Sequence, residues 1–440
     1  MTVAAPVLHE AEDLDAALAD ARARYADTHP RSRTAFDEAT EVMPGGNTRT
    51  VLFHGPFPFR ADSGSGATLT DVDGHSLLNL LGEYTAGLFG HDDPRIRAAI
   101  AAALQNGINL GAHNTYEPHF ARRVCERFSA IDKVRFTNSG TEANMMAITT
   151  ARAATGRSKI MVFEGAYHGG VFLFKPGVDT NAPFPWIRMP YNDANAAREA
   201  IRAHGDDLAA VLLEPMQGAS GCIPATADFL ACLREETEKA GAFLIFDEVM
   251  TSRLGRGGAQ SVFGIRPDLM TLGKWVGGGM SFGAFGGRAD AMDLFDPRRP
   301  NAIAHAGTFQ NNVLTMAAGI VALEEIYTPD VAVALTERGD ALRERLNRMA
   351  ADLGVAVQFT GMGSLMNLHP TDRPISRMAD LQAADDRVRE LLFLDLLAAG
   401  FYVAQRGFIA LSLPLSDNDL DRFAAGLEQI LVSRRAFLQH

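Results

Sequence analysis

The chain has 440 residues, enough for a large enzyme domain with a smaller one beside it. Hydrophobic residues make up 47% and charged residues 21%, a soluble globular balance, and the formal net charge of -12 argues against the basic face that nucleic-acid phosphates require. Three cysteines, Cys125, Cys222 and Cys232, stand at spacings that fit neither a disulfide framework nor a zinc pattern, which predicts a reducing compartment.

Residues 1–30 mix acid and base and have no apolar core of the secretory kind, and no apolar run reaches membrane-spanning length. A cytoplasmic protein with no membrane partner is expected. Apolar residues at helical spacing over 11–25 predict an amphipathic helix that docks on another surface, a second subunit among the candidates. A short helix is expected over 32–41, followed by the loop Met43-Pro44-Gly45-Gly46-Asn47-Thr48-Arg49. Residues 58–81 alternate and contain the turn signal Asp71-Val72-Asp73-Gly74, which predicts a small antiparallel sheet. That turn resembles a calcium loop only at its start, because the later acidic positions are absent.

Helices are expected over 94–105 and 116–128. Strand candidates then alternate with helical segments: 134–137, 160–163, 211–214, 243–246, 269–272 and 283–286, with helices such as 142–154 and 227–239 between them. This pattern predicts an α/β domain built on a mostly parallel sheet, with ligands beyond the carboxyl ends of its strands. Long helices over 310–328 and 331–353 lead out of it. The expected organisation is an N-terminal segment and part of a small domain over 1–92, a large domain over 93–328 and a C-terminal small domain over 329–440.

The candidate chemistry lies at the strand ends. Asn138-Ser139-Gly140-Thr141-Glu142-Ala143-Asn144 follows a strand and opens a helix. Ser139 can cap that helix, and a helix N-terminus with a glycine between hydroxyls also suits a phosphate. Tyr167 beside Gly169 and Gly170 can stack on a flat ring or pack in the core. His168 has no second ligand at a useful spacing, so no metal centre is expected. In Phe243-Leu244-Ile245-Phe246-Asp247-Glu248-Val249-Met250, four apolar residues run into two carboxylates. A buried carboxylate costs several kcal/mol unless a cation pairs with it, and a protonated pyridine nitrogen is such a cation. Asp247 is the candidate for that pairing. Glu214, in Glu214-Pro215-Met216-Gln217-Gly218, ends another strand and can support the same network.

Lys274 follows an apolar strand, with Gly273 before it and Gly277-Gly278-Gly279 after it. A desolvated lysine has a lowered pKa and is a usable nucleophile toward a carbonyl. Pyridoxal phosphate is the commonest cofactor that uses such a Schiff base. This is not a phosphate loop, since Trp275 follows the lysine and Asp268 stands where that motif needs glycine. No Gly-x-Gly-x-x-Gly opens a helix after a strand, which argues against a dinucleotide enzyme. Thr308, in His305-Ala306-Gly307-Thr308-Phe309-Gln310, can donate to a phosphate or cap a helix, and both roles stay open.

Taken in order, Asn138 to Thr141, Tyr167 to Gly169, Glu214-Pro215, Asp247 to Val249, Gly273-Lys274 and Gly307-Thr308 resemble the class-III aminotransferases. The resemblance covers about residues 30–435. It implies the pyridoxal-phosphate transferase fold of type I, with a large mostly parallel-sheet domain and a smaller α+β domain from both chain ends. It also implies a homodimer with shared active sites. Lys274 would bond to the cofactor aldehyde. Ser139, Gly140 and Thr141 would hold the phosphate, and Thr308 would reach the phosphate in the neighbouring subunit. Tyr167 would stack on the ring, Asp247 would pair with its nitrogen, and Val249 would pack beneath it, with Glu214 and Met250 also at the cofactor.

Many class-III members carry glutamine where this chain has Met250. That departure, with Gly277-Gly278-Gly279, is similar to glutamate-1-semialdehyde aminomutases and to β-phenylalanine aminotransferases. The segments Gly46-Asn47-Thr48-Arg49-Thr50-Val51-Leu52-Phe53, Met280-Ser281-Phe282-Gly283-Ala284-Phe285-Gly286-Gly287 and Gln405-Arg406-Gly407-Phe408 resemble the second group more closely. By that resemblance Arg49 and Arg406 bind substrate carboxylates, a role that suits a planar, permanently charged fork. Val51, Phe53 and Phe57 are candidates to line an aryl pocket. The expected reaction is transamination of a β-amino acid with 2-oxoglutarate or pyruvate, and an intramolecular aminomutase is the alternative.

Overall fold

The computed structural model describes residues 13–177, 180–382 and 385–439. The N-terminal part forms a three-stranded antiparallel sheet of β1 (Ala61–Ser65), β2 (Thr68–Asp71) and β3 (Ser76–Asn79). The expected turn at Asp71 to Gly74 joins the last two strands.

The central sheet has seven strands: β4 (Lys133–Thr137), β5 (Lys159–Phe163), β6 (Trp186–Met189), β7 (Leu208–Leu213), β10 (Phe243–Asp247), β11 (Leu269–Gly273) and β12 (Gly283–Gly287). A two-residue ribbon, β8 (Met216–Gln217) with β9 (Ile223–Pro224), lies between the fourth and fifth of these along the chain. The spatial order is β4-β12-β11-β10-β7-β5-β6. Only β12 runs against its neighbours, pairing antiparallel with both β11 and β4.

Both faces of this sheet are covered, which explains why its strands are near-continuous apolar runs. Along β7 and β10, Leu212 and Ile245 join the core under helix Gly140–Thr155. Val211, Leu213, Leu244 and Phe246 point the other way, against helices Ala194–His204 and Ala227–Ala240. That alternation is the two-residue period of a strand.

The C-terminal part adds β13 (Gln358–Met362), β14 (Leu365–His369), β15 (Phe401–Tyr402) and β16 (Phe408–Ala410). Strand β15 pairs in parallel with β3, so the two chain ends share one sheet.

The N-terminal helix runs over Leu14–Thr28, and residues 11 and 12 of the expected helix lie outside the described residues. Its buried face, Ala17, Leu18, Ala21 and Tyr25, packs into this chain's own core. Arg22 pairs with Glu390 of helix Asp386–Ala398. The surface it docks on is thus the C-terminal part of the same chain. Among the described residues, no helix is long and apolar enough to cross a membrane.

Candidate active site

Strand β10 is buried throughout and ends on Asp247. The Asp247 carboxylate receives Asn144 Nδ2 and His168 Nδ1 on Oδ2, each at 2.8 Å. The Val249 N–H donates to Oδ1 at 3.0 Å. The Thr271 hydroxyl lies 3.4 Å from the same oxygen but sits closer, at 2.8 Å, to Asn144 Oδ1. Oδ2 is therefore saturated, whereas Oδ1 keeps capacity for one more donor. A protonated ring nitrogen would fill that place.

The next residue, Glu248, has a separate structural role. It accepts from the Ala259 and Gln260 N–H groups at 2.6 and 2.7 Å and from the Thr251 hydroxyl at 3.2 Å. Burial pushes its pKa up to about 7.

Lys274 begins a short turn after β11 with a left-handed backbone, φ 54°. Its neighbour Trp275 is fully buried and donates from Nε1 to Ser252 Oγ at 2.9 Å, which anchors the turn. The Lys274 amine has no hydrogen-bond or ion-pair partner among the described residues. Desolvation lowers its pKa to about 8; Asp247 and Glu214 oppose that shift, while Arg406 and Arg49 add to it. Two of the following glycines are required by packing rather than by a ligand. A Cβ on Gly277 would stand 2.3 Å from the Phe282 side chain, and one on Gly278 would stand 2.6 Å from Ala318.

Glu214 lies just past β7 and accepts from the Tyr167 and Gly218 N–H groups, both at 3.1 Å. Burial holds its pKa up at about 7. The Tyr167 residue above it is 45% exposed, an open aromatic face beside Glu214 rather than a packed core ring. Ser139 caps helix Gly140–Thr155, its Oγ accepting from Glu142 N at 3.2 Å. Its hydroxyl hydrogen stays available, so capping and phosphate binding are compatible. Gly170 N lies 3.4 Å from Thr141 Oγ1, bringing the tyrosine loop against the same helix start. Val249 wedges between two glycines: a Cβ on Gly140 or Gly273 would approach its side chain to 2.8 or 3.1 Å. Met250 packs its sulfur against Gly218.

The two arginines sit at the far side. Arg406 lies over the Tyr84 and Phe408 rings, at 5.0 and 5.5 Å, and those rings stack on each other. Its Nη1 reaches only the Ala219 carbonyl, at 3.4 Å, and it has no carboxylate partner among the described residues. Arg49 pairs with Glu83 at 2.8 Å. Glu83 belongs to a run, Gly82 to Thr85, in which every residue has positive φ (55°, 50°, 50° and 84°). Three of those residues are not glycine, a strain that persists only where the surroundings enforce it. The Tyr84 hydroxyl helps, donating to the Val51 carbonyl at 3.0 Å.

Val51 and Phe53 are 48% and 43% exposed beside Arg49, but Phe57 is 1% exposed and packs on Tyr25 and Phe36. Phe57 is core and does not line a pocket. Thr308 is exposed, in a turn steadied by Gln310 and His305. Sequence reasoning missed Asn144 as a partner of Asp247, Thr271 as the partner that orients Asn144, and Glu83 as the partner of Arg49. For Asn144 the signal was its helical spacing of four from Gly140.

A seven-stranded sheet of this order, with a half-buried lysine and a buried carboxylate at adjacent strand ends, defines a class rather than a substrate. The family model for class-III aminotransferases matches residues 53–431, and the chain belongs to that family. It is a pyridoxal-phosphate-dependent aminotransferase. It is 54% identical over 427 residues to the β-phenylalanine transaminase of Variovorax paradoxus, covering 97% of this chain and 98% of the relative. The crystal structure of the Variovorax paradoxus β-phenylalanine aminotransferase superposes with a TM-score of 0.96 at 53% identity, covering 97% of this chain and all of that one. A transaminase structure with the cofactor bound superposes at 0.85 with 32% identity, covering 93% of this chain and 99% of that one. The glutamate-1-semialdehyde 2,1-aminomutase of Heliobacterium modesticaldum is 37% identical over 432 residues, covering 93% of this chain and 99% of the relative. The free amine of Lys274, the open lone pair of Asp247 Oδ1 and the hydroxyl-flanked helix start fit an aldehyde, a pyridine nitrogen and a phosphate in turn.

Proposed function

We propose that the chain transfers the amine of a β-amino acid, aromatic and β-phenylalanine-like, to 2-oxoglutarate or pyruvate. The observation that carries this reading is the pair of arginines whose charges act on Lys274, Arg406 with no carboxylate partner among the described residues and Arg49 paired with Glu83. A β-amino acid places its carboxylate one carbon further from the reacting carbon than an α-keto acid does. Two guanidinium groups let one site accept both placements in alternation.

Bound pyridoxal phosphate supplies the electron sink. Lys274 would hold the cofactor through its amine, and that amine, when free, would move the proton at the amine-bearing carbon. Asp247 keeps the ring nitrogen protonated. Tyr167 would stack on the ring and Val249 would pack beneath it, with Glu214 and Met250 also at the cofactor. Ser139, Gly140 and Thr141 hold the phosphate at the helix start. Thr308 reaches the phosphate held by a second copy of the chain. A homodimer is supported by Ile108, Leu110 and Phe309, which are 49%, 49% and 58% exposed. They lie on two loops joined by Asn114 and Asn311, and exposed apolar groups gathered in this way mark an interface.

The test is a donor panel of β-phenylalanine enantiomers, aliphatic β-amino acids and α-amino acids with either keto acid. Activity confined to α-amino acids would sink the reading. Failure to release a β-keto acid in the presence of 2-oxoglutarate would favour the aminomutase alternative.

Arg49→Ala should lower kcat/KM for carboxylate-bearing donors by roughly 10–150-fold, the worth of a charge-assisted bond. Glu83→Gln should act oppositely, lowering KM for the same donors by about 3–10-fold, because a substrate carboxylate no longer competes with Glu83. Donors without a carboxylate should be unaffected by either change, and equal effects on both donor types would remove the pair from substrate binding.

The pKa of about 8 at Lys274 gives a further expectation. Cofactor-stripped protein should capture pyridoxal phosphate about tenfold faster per pH unit below pH 8 and level off above it, because only the neutral amine attacks. Stopped-flow absorbance from pH 6 to 10 reads this directly; a rate independent of pH would place the reacting amine elsewhere.

A further inference from the structure

We propose that the chain binds a divalent ion of the zinc class through His29, Asp71 and His75, a site outside the active-site residues that fastens the N-terminal helices to the small antiparallel sheet. His29 sits between helices Leu14–Thr28 and Pro30–Thr40, Asp71 ends β2, and His75 precedes β3. Among the described residues, their ligand atoms all lie within 4.8 Å of one another.

The decisive detail is a tautomer. His29 Nδ1 lies 2.8 Å from the Tyr25 carbonyl oxygen, which can only accept, and 2.9 Å from the Thr28 hydroxyl, whose own hydrogen has the Arg24 carbonyl to go to at 3.0 Å. Nδ1 therefore carries the hydrogen, and the neutral ring presents a lone pair at Nε2. That lone pair stands 3.4 Å from Asp71 Oδ2, so two acceptors face each other in a buried place. Something positive belongs between them. A metal-bound histidine characteristically gives its other N–H to a backbone carbonyl or carboxylate, which is the arrangement at His29. The 3.4 Å gap is also the span between two ligands of a tetrahedral ion with bonds of about 2.0–2.1 Å.

The remaining groups fit the same ion. His75 Nδ1 lies 2.8 Å from Asp71 Oδ2 and can ligate with its hydrogen moved to Nε2. The His75 N–H donates to Asp71 Oδ1 at 2.8 Å, which turns Oδ2 toward both rings. The Asp71 side chain is fully buried while that of His75 is 37% exposed, leaving a solvent-side position for a fourth ligand. Two imidazoles and one carboxylate suit zinc; calcium and magnesium prefer all-oxygen sites. Asp73 is not available, being engaged by the Arg31 and Ser32 N–H groups and the Ser32 hydroxyl.

The experiment strips the holoenzyme with EDTA, restores zinc chloride, desalts, and counts zinc per chain by elemental mass spectrometry. Wild type should retain about one zinc more than either His29→Asn or His75→Gln. Zinc should raise the melting temperature of the stripped wild type by about 2–5 °C and leave His75→Gln unmoved. His75 is partly exposed, so His75→Gln keeps the test decisive even if His29→Asn fails to fold. Equal zinc in wild type and His75→Gln, or none retained by wild type, would overturn the proposal and leave a proton-held clamp in its place.

Discussion

Lys274→Ala should abolish turnover, with a fall in kcat of at least about 10⁴-fold, while the chain stays folded. The amine it removes has no partner among the described residues, so no buried acceptor is orphaned. The turn that carries it is held from the next residue, by Trp275 on Ser252. The variant should therefore melt within a few degrees of wild type and still bind cofactor through the phosphate and ring contacts. Borohydride treatment of the wild-type holoenzyme should fix the cofactor to the peptide containing Lys274. Label on any other lysine, or substantial turnover in the variant, would end the assignment.

Asp247→Asn should cost about 10³-fold in kcat, the scale of a lost preorganised charge. The amide cannot satisfy its surroundings. Oδ2 receives two donors and Oδ1 receives the Val249 N–H. Whichever way the amide is turned, its NH₂ meets a donor, and an unsatisfied buried group costs about 1–3 kcal/mol. The new side chain also cannot hold a protonated ring nitrogen by charge. Thr271→Ser provides the control, because its hydroxyl keeps the bond to Asn144, and it should stay within about threefold of wild type. An Asp247→Asn enzyme keeping more than about a tenth of wild-type kcat would remove Asp247 from this role.

The sheet was legible because strands buried on both faces are unbroken apolar runs. Strands β7, β10 and β11 are buried along their whole length and fall within two or three residues of expectation. Strand β6 was missed: it is an edge strand, carries an exposed arginine at Arg188, and lies between Pro185 and Pro190. The long helix expected over 310–328 is broken by two local events. Asn312 caps a helix that starts only at Val313, and its last turn widens over Ala322–Ile326.

At the site, Lys274 and Asp247 stood out because a charge at the end of an apolar strand needs a reason. Asn144 and Thr271 gave no such signal, since a polar residue on a helix or strand is ordinary until its partner is known. The pairing of Arg49 with Glu83 depends on a backbone turn that no residue pattern announces.

That turn, Gly82 to Thr85, carries a consequence for anyone reshaping the enzyme. A backbone bent against its own handedness has few other ways to close, so its residues hold Glu83 fixed against Arg49. Bulkier or smaller donors are better sought by changing Val51 and Phe53, whose side chains stand in solvent beside Arg49. Libraries built on positions 83 to 85 should return mostly unfolded or inactive clones, with glycine and asparagine the substitutions that survive.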